Sequence, residues 1–267
     1  MPVLFYGAVL CWLVAAITWA LAYYGRLRKA SYLGGGLEIT GFFLWTVALV
    51  SYALSSGPAP KGHSFRWPLA TPAEFLLAMV WGTVLIHTIV ELTEGGMGEG
   101  YPALILALIM ALFGGKTFAA KPLPLQAAFR SIWFQLHTLT AALAYGAFTV
   151  GCGIAALRIL SSELPSERGG LTKALKIGYL LLTLSMITGA IWGQLTWGNY
   201  WSWSLKEIWT FIVWMLYTLF FHIQPLPRWK GRPAFTLVAV AFAVVLFTLL
   251  GTEWLARKTT LEIMHVY

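Results

Sequence analysis

Aspartate is absent from this 267-residue chain; all ten acidic residues are glutamate. That absence excludes Asp-based catalytic triads, aspartyl phosphorylation and Asp-dominated calcium loops. Charge of either sign is scarce, at 10% against about 25% in an average soluble domain. Hydrophobic residues make up 59%, and the mean hydropathy is +0.74. So few charges cannot clothe a water-facing surface, so the chain reads as an integral membrane protein. There are two cysteines, Cys11 and Cys152, both inside apolar runs, and no CxxC or CxxCH. A disulfide framework, a cysteine zinc site, a thioredoxin-type motif and a haem-attachment site within the chain are thereby excluded. Both thiols read as small core residues. The net charge is +8, but the 18 Lys and Arg gather at the ends of apolar runs, where membrane-flanking cations belong. No basic stripe interleaved with aromatics is present, so nucleic acid is not an expected partner.

What remains is a succession of apolar runs. A spanning helix needs roughly 20 such residues. The runs predict an all-α, polytopic membrane protein of about eight helices, near 3–24, 32–55, 72–92, 101–119, 133–160, 177–197, 207–224 and 233–251. Residues 120–132 read as a loop or short amphipathic helix, and 161–176 as the most charged connection. The apolar start reads as the first span, not as a cleaved leader. No soluble domain and no internal repeat stand out, so 1–267 is expected to be a single transmembrane domain. Placing the first inter-helix loop inside puts ten Lys/Arg on the inner side and eight on the outer. The clusters Arg26, Arg28, Lys29 and Arg228, Lys230, Arg232 support that choice. Both termini then lie outside.

Ionisable side chains at membrane depth are costly and tend to be functional. Five histidines occur, at His63, His87, His137, His222 and His265. In a helical bundle without cysteine motifs, histidine is the natural axial ligand for haem iron. In the orientation above, His137 and His265 lie on the outer side, His87 and His222 lie towards the inner ends of their helices, and His63 sits in a polar loop. The densest feature is Trp197-Gly198-Asn199-Tyr200-Trp201-Ser202-Trp203-Ser204-Leu205-Lys206-Glu207, with four aromatics in its first seven residues. Interfacial belts explain one or two Trp per helix end but explain this density poorly. Helical spacing would put Trp197 and Trp201 on one face, an apolar shelf for a flat aromatic ligand, with Trp203 pointing elsewhere.

At this segment a resemblance becomes specific. WGNYWSWSLKE resembles the Trp-rich WWD motif of the cytochrome c assembly protein family, W-G-x-x-W-x-W-D-x-x-E. It is closer to the CcsA (ResC) branch of System II than to the CcmC branch. Gly189-Ala190-Ile191-Trp192-Gly193 is similar to that family's GAIWA approach. Glu207 through His222 resembles its E-x-W…W…Y…L-H run, and Ser131 to His137 its S-x-W-L-x-x-H run. Thr71-Pro72-Ala73-Glu74-Phe75 with Trp81 and Glu91 resembles its N-x-Y-E…W…E stretch. The likeness runs in order over about residues 65–267. Two departures stand in the motif: its Asp is Ser204 and the following Pro is Leu205.

The resemblance implies a membrane protein that handles haem b non-covalently. It would present haem on the outer face of the cytoplasmic membrane for cytochrome c maturation. Carried over by position, His137 and His265 would be outer iron ligands and His222 a ligand within the membrane. Trp197, Trp201, Trp203 and Glu207 would form the Trp-rich site. Implied partners are a CcsB (ResB)-like membrane protein, apocytochrome c as client, haem and the lipid bilayer. The chain would serve as a component of a cytochrome c haem lyase without a nucleophile of its own. Lys121, Arg130 and Lys206 lie on the right side for the propionates. The lost Asp also keeps open a HemX-like regulatory protein, or a haem-binding structural or electron-transfer subunit. One further expectation comes from arithmetic. His87 follows Pro72 by fifteen residues, as His222 follows Glu207. At about 1.5 Å per residue both sit roughly 22 Å deep, so the two could share a second, inner haem.

Overall fold

The structure, a computed structural model, describes residues 2–25, 27–55, 67–94, 98–119, 127–161, 169–252 and 254–255. Among them there are eight α-helices: α1 (Pro2–Gly25), α2 (Arg28–Leu54), α3 (Pro72–Thr93), α4 (Tyr101–Gly114), α5 (Ile132–Leu160), α6 (Gly169–Trp197), α7 (Leu205–Ile223) and α8 (Arg232–Leu246). A 3-10 turn, Gly115–Ala119, prolongs α4, and a π-helical turn, Phe247–Gly251, prolongs α8. With these extensions α1–α6 and α8, seven helices, are long and apolar enough to cross a membrane. The chain is a multi-pass membrane protein. The eighth helix, α7, has 19 residues, and at about 1.5 Å each these reach nearly the ~30 Å of a hydrocarbon core. Lys206, Glu207 and His222 at its ends dilute its apolar character.

The expected spans fall on these helices, with one instructive shift. Helix α6 starts at Gly169, not at 177, and takes in Lys173 and Lys176. Lysine is a good helix former, and Lys173 Nζ in addition reaches Glu94 Oε1 at 2.8 Å. Of the connection 120–132, residues Ala127–Arg130 form a 3-10 turn.

Helix α5 is the centre of the bundle and packs against α3, α4, α6 and α8. Its composition explains that position. Ala142, Ala144, Gly146, Ala147, Gly151, Gly153 and Ala155 leave little side chain between it and its neighbours, the close-packing device of membrane helices. The crossings with α3 and α4 are both tight: a Cβ on Gly153 would lie 2.5 Å from the Ala103 nitrogen of α4. A Cβ on Gly146 would lie 2.6 Å from the Thr83 nitrogen and 2.7 Å from the Gly82 carbonyl carbon. On the other side of α3, the aromatics Trp12, Trp19, Trp45 and Tyr52 from α1 and α2 are buried against α3 and α4. The result is a bundle with two large apolar clusters, α1–α4 and α3–α8, that share α3 and α4, and two small ones.

Candidate functional site

At one end of the bundle, α3, α5, α6, α7 and the end of α8 enclose a cavity. The space between its walls, with the open mouth included, is about 910 Å³. Phe75, Leu182, Met186 and Trp201 supply apolar wall; His137, Tyr145, Ser185, Lys206, Glu207 and Thr210 supply polar groups. His137 projects from the second turn of α5, whose first turn Ser131 caps by accepting from the Trp133 N–H at 3.2 Å. The imidazole Nδ1 lies 2.9 Å from the Ser185 carbonyl oxygen and 3.1 Å from Ser185 Oγ. The ring lies nearly parallel to Trp192, at 20° and 6.1 Å between centroids. Trp192 is held in turn by its Nε1–H donating to the Ala128 carbonyl at 2.9 Å and by packing on Phe134.

The Trp-rich segment is arranged differently from its helical spacing. Helix α6 ends at Trp197, and Gly198 turns the chain at φ +77°, a conformation that glycine adopts without penalty. The 3.6-residue period therefore stops there, and Trp197 and Trp201 do not form one face. Trp197 packs edge-on against Trp192, 4.6 Å between centroids. Trp201 lines the cavity and meets Trp203 edge-on at 5.9 Å. Trp203 has φ +58° and is 68% exposed. A left-handed tryptophan is strained by roughly 1–2 kcal/mol, and here the strain accompanies an indole turned out of the bundle.

Glu207 organises this loop. One carboxylate oxygen accepts from the Ser202 N–H at 3.0 Å, the Ser202 hydroxyl at 2.8 Å and the Ser204 N–H at 2.9 Å. Ser204 Oγ accepts from the Glu207 N–H at 3.4 Å. The pair is a capping box that starts α7. Ser204 thus performs an N-cap task that Asp would perform equally well. Helix α3 starts in the same way, with Thr71 and Glu74 as its capping box. Two glutamates of the motif-like stretches are thereby accounted for by helix initiation at the cavity end.

The remaining expected residues lie apart. His87 is fully buried among α1–α4. Its Nδ1 lies 2.8 Å from Glu38 Oε1 and its Nε2 3.7 Å from Glu91 Oε1. Glu38 also accepts from Trp19 Nε1 at 2.9 Å and Thr88 Oγ1 at 2.6 Å. The Gly100 backbone presses on the ring, since a Cβ there would stand 2.4 Å from His87 Cδ2. His222 stands exposed near the end of α7, with Nδ1 donating to the Thr218 carbonyl at 2.8 Å. The pairing of His87 with His222 is therefore corrected. Equal depth does not make helices neighbours: Nδ1 of His87 is engaged by Glu38 of α2, and its Nε2 faces Glu91 of its own helix. His265 and Lys121 lie outside the described residues, and Arg130 closes the 3-10 turn before α5. Ser185 carries no motif in the sequence, and Gly189 enters there only as the first residue of the GAIWA-like stretch. Neither signal points to His137; what the structure adds is that the two small residues lie a helical turn apart on the face that receives it.

Fold and site together define a class: a multi-pass helical membrane protein with a histidine-bearing cavity beside a tryptophan-rich loop. A family model described as Cytochrome C assembly protein matches residues 67–259, and the chain belongs to that family. Similar curated proteins carry the name cytochrome c biogenesis protein CcsA. That of Guillardia theta is 24% identical over 274 residues, covering 90% of this chain and 88% of the relative. That of Prochlorococcus marinus (strain MIT 9515) is 29% identical over 242 residues, covering 72% and 75%. That of Hordeum vulgare is 25% identical over 284 residues, covering 86% and 85%.

Proposed function

We propose that this chain acts in cytochrome c maturation by holding haem b, non-covalently, in the His137 cavity and presenting it beside the Trp-rich loop on the outer face of the membrane. The observation that carries the reading is His137 itself. It lines the cavity at the end of the bundle, its Nδ1 is engaged by Ser185, and its Nε2 has no hydrogen-bond partner among the described residues. The lining suits the ligand. A porphyrin is a large apolar plane, favourably buried against Phe75, Leu182, Met186 and the Trp201 indole. Lys206 supplies a cation for a propionate. His265 is the proposed second outer ligand. His222, exposed on α7, is the proposed site of a ligand shared with a CcsB-like partner. Bound in the cavity, haem supplies the iron and the porphyrin periphery to which the cysteine thiols of apocytochrome c are joined. The chain's own residues bind, orient and shield it.

The test is the absorption spectrum of detergent-purified protein. Wild type should carry haem with a low-spin spectrum, and His137→Ala should lose that spectrum or retain several-fold less haem. Haem content and spectrum unchanged in His137→Ala would reject the cavity as the site.

A further inference from the structure

A neutral imidazole serves as a metal ligand through whichever nitrogen lacks its proton, and the hydrogen bond made by the other nitrogen decides which one that is. At His137 the surroundings settle this choice within the protein. Nδ1 faces two oxygens, the Ser185 carbonyl at 2.9 Å and Ser185 Oγ at 3.1 Å. The carbonyl can only accept. The serine hydroxyl has one proton, and its Oγ stands 3.0 Å from the His137 carbonyl oxygen, which also can only accept. With that proton directed to the His137 carbonyl, both oxygens around Nδ1 offer lone pairs. The arrangement is satisfied only when Nδ1 carries the hydrogen. The lone pair is then on Nε2, the nitrogen without a partner among the described residues.

The ring can approach α6 this closely because of the residue one turn further on. A Cβ on Gly189 would lie 2.6 Å from His137 Nδ1 and 2.8 Å from its Cε1, closer than any side chain tolerates. Trp192, near-parallel to the ring and itself tethered to the Ala128 carbonyl, limits its tilt. We infer that Ser185 and Gly189 of α6 are positioning residues for His137, holding it as the Nδ1–H tautomer with Nε2 directed to the iron of the haem. The inference rests on the proposed haem site at His137, but the tautomer is a property of the haem-free protein and is tested there.

The first measurement is therefore made without haem. In full-length protein labelled with ¹⁵N-histidine and stripped of haem in detergent, two-bond ¹H–¹⁵N correlation should show His137 as the Nδ1–H form. His137→Ala identifies the signals. Gly189→Ala should shift His137 towards the Nε2–H form or a mixture. The second measurement adds hemin. Gly189→Ala should lose the low-spin spectrum and bind hemin about 10–100-fold more weakly, the usual effect of removing an outer-shell partner. Millimolar imidazole should restore the low-spin spectrum in Gly189→Ala and in His137→Ala, which an unfolded variant could not do. If Gly189→Ala does not fold, Ser185→Ala replaces it, with weaker hemin binding and a shifted reduction potential expected, and Ser185→Thr restoring both.

The outcomes separate the two ideas. An Nε2–H His137 in wild type overturns the inference whatever haem does. So does a His137→Ala protein that loses the low-spin spectrum while Gly189→Ala and Ser185→Ala keep wild-type affinity, potential and tautomer. A low-spin spectrum untouched in His137→Ala rejects the haem site, leaving the tautomer result to stand by itself.

Discussion

Glu38 shows what a single ionisable residue does at membrane depth. Its carboxylate is fully buried and gathers Trp19 from α1 and both His87 and Thr88 from α3. Glu91 fastens the next segment by accepting from the Gly98 and Gly100 N–H groups, each at 3.0 Å. These acids and His87 tie α1, α2, α3 and the start of α4 in one register. Removing one partner of a buried charged pair strands the other and costs about 3–5 kcal/mol, whereas replacing both with apolar residues of similar volume is often close to neutral. Glu38→Ala should therefore lower the thermal midpoint in detergent by much more than the double change Glu38→Leu with His87→Leu. A double variant as unstable as the sum of the two single losses would show that the residues are not coupled.

At the scale of the element, the two helices that begin at the cavity end use the same device. Thr71 with Glu74 and Ser204 with Glu207 cap α3 and α7. In the second case the same carboxylate also shapes the loop that carries Trp201 and Trp203. Ser204→Ala should cost about 1 kcal/mol of local stability, read as faster amide hydrogen exchange over Ser202–Ile208. Ser204→Asp should match or exceed wild type, since Asp caps equally well and its charge complements the helix N-terminus. Slower exchange in Ser204→Ala than in wild type would contradict the capping role. Trp203 shows the reverse economy: its left-handed backbone is unfavourable, and the loop keeps it with the side chain outside.

At the scale of the whole molecule, the bundle depends on how closely α5 approaches its neighbours. Gly146→Val would force a branched side chain into the Thr83–Gly82 backbone of α3 and should destabilise by at least the 1–3 kcal/mol typical of overpacking. Gly36 on α2 is the control, because a Cβ there meets nothing within 4 Å. Gly36→Ala should leave stability unchanged or raise it by up to about 1 kcal/mol through helix propensity. Since α5 also carries His137, Gly146→Val should disturb the cavity as well as the fold. Thermal unfolding of the two variants side by side checks the contrast.

Long apolar runs with few charges were enough to establish a helical membrane protein and the positions of its spans, because the bilayer demands length and apolarity locally, residue by residue. The Trp-rich segment was equally legible as a feature of the sequence, since it is contiguous. His137 could be picked out as a candidate, and it is the residue on which the proposed site rests, but its partner could not. Ser185 lies 48 residues away, and serine and glycine are ordinary in a spanning helix. The same limit applies to His87. Depth follows from counting along one helix, but neighbours follow from packing among helices, and packing delivered His87 to Glu38 and Glu91 instead of His222. The expected pairing of Trp197 with Trp201 failed where Gly198 ended the helix, because a period has meaning only while the backbone keeps it. What each segment is was written in its own residues; which side chains meet was decided by close approach between helices, above all the small-residue faces of α5 and α6.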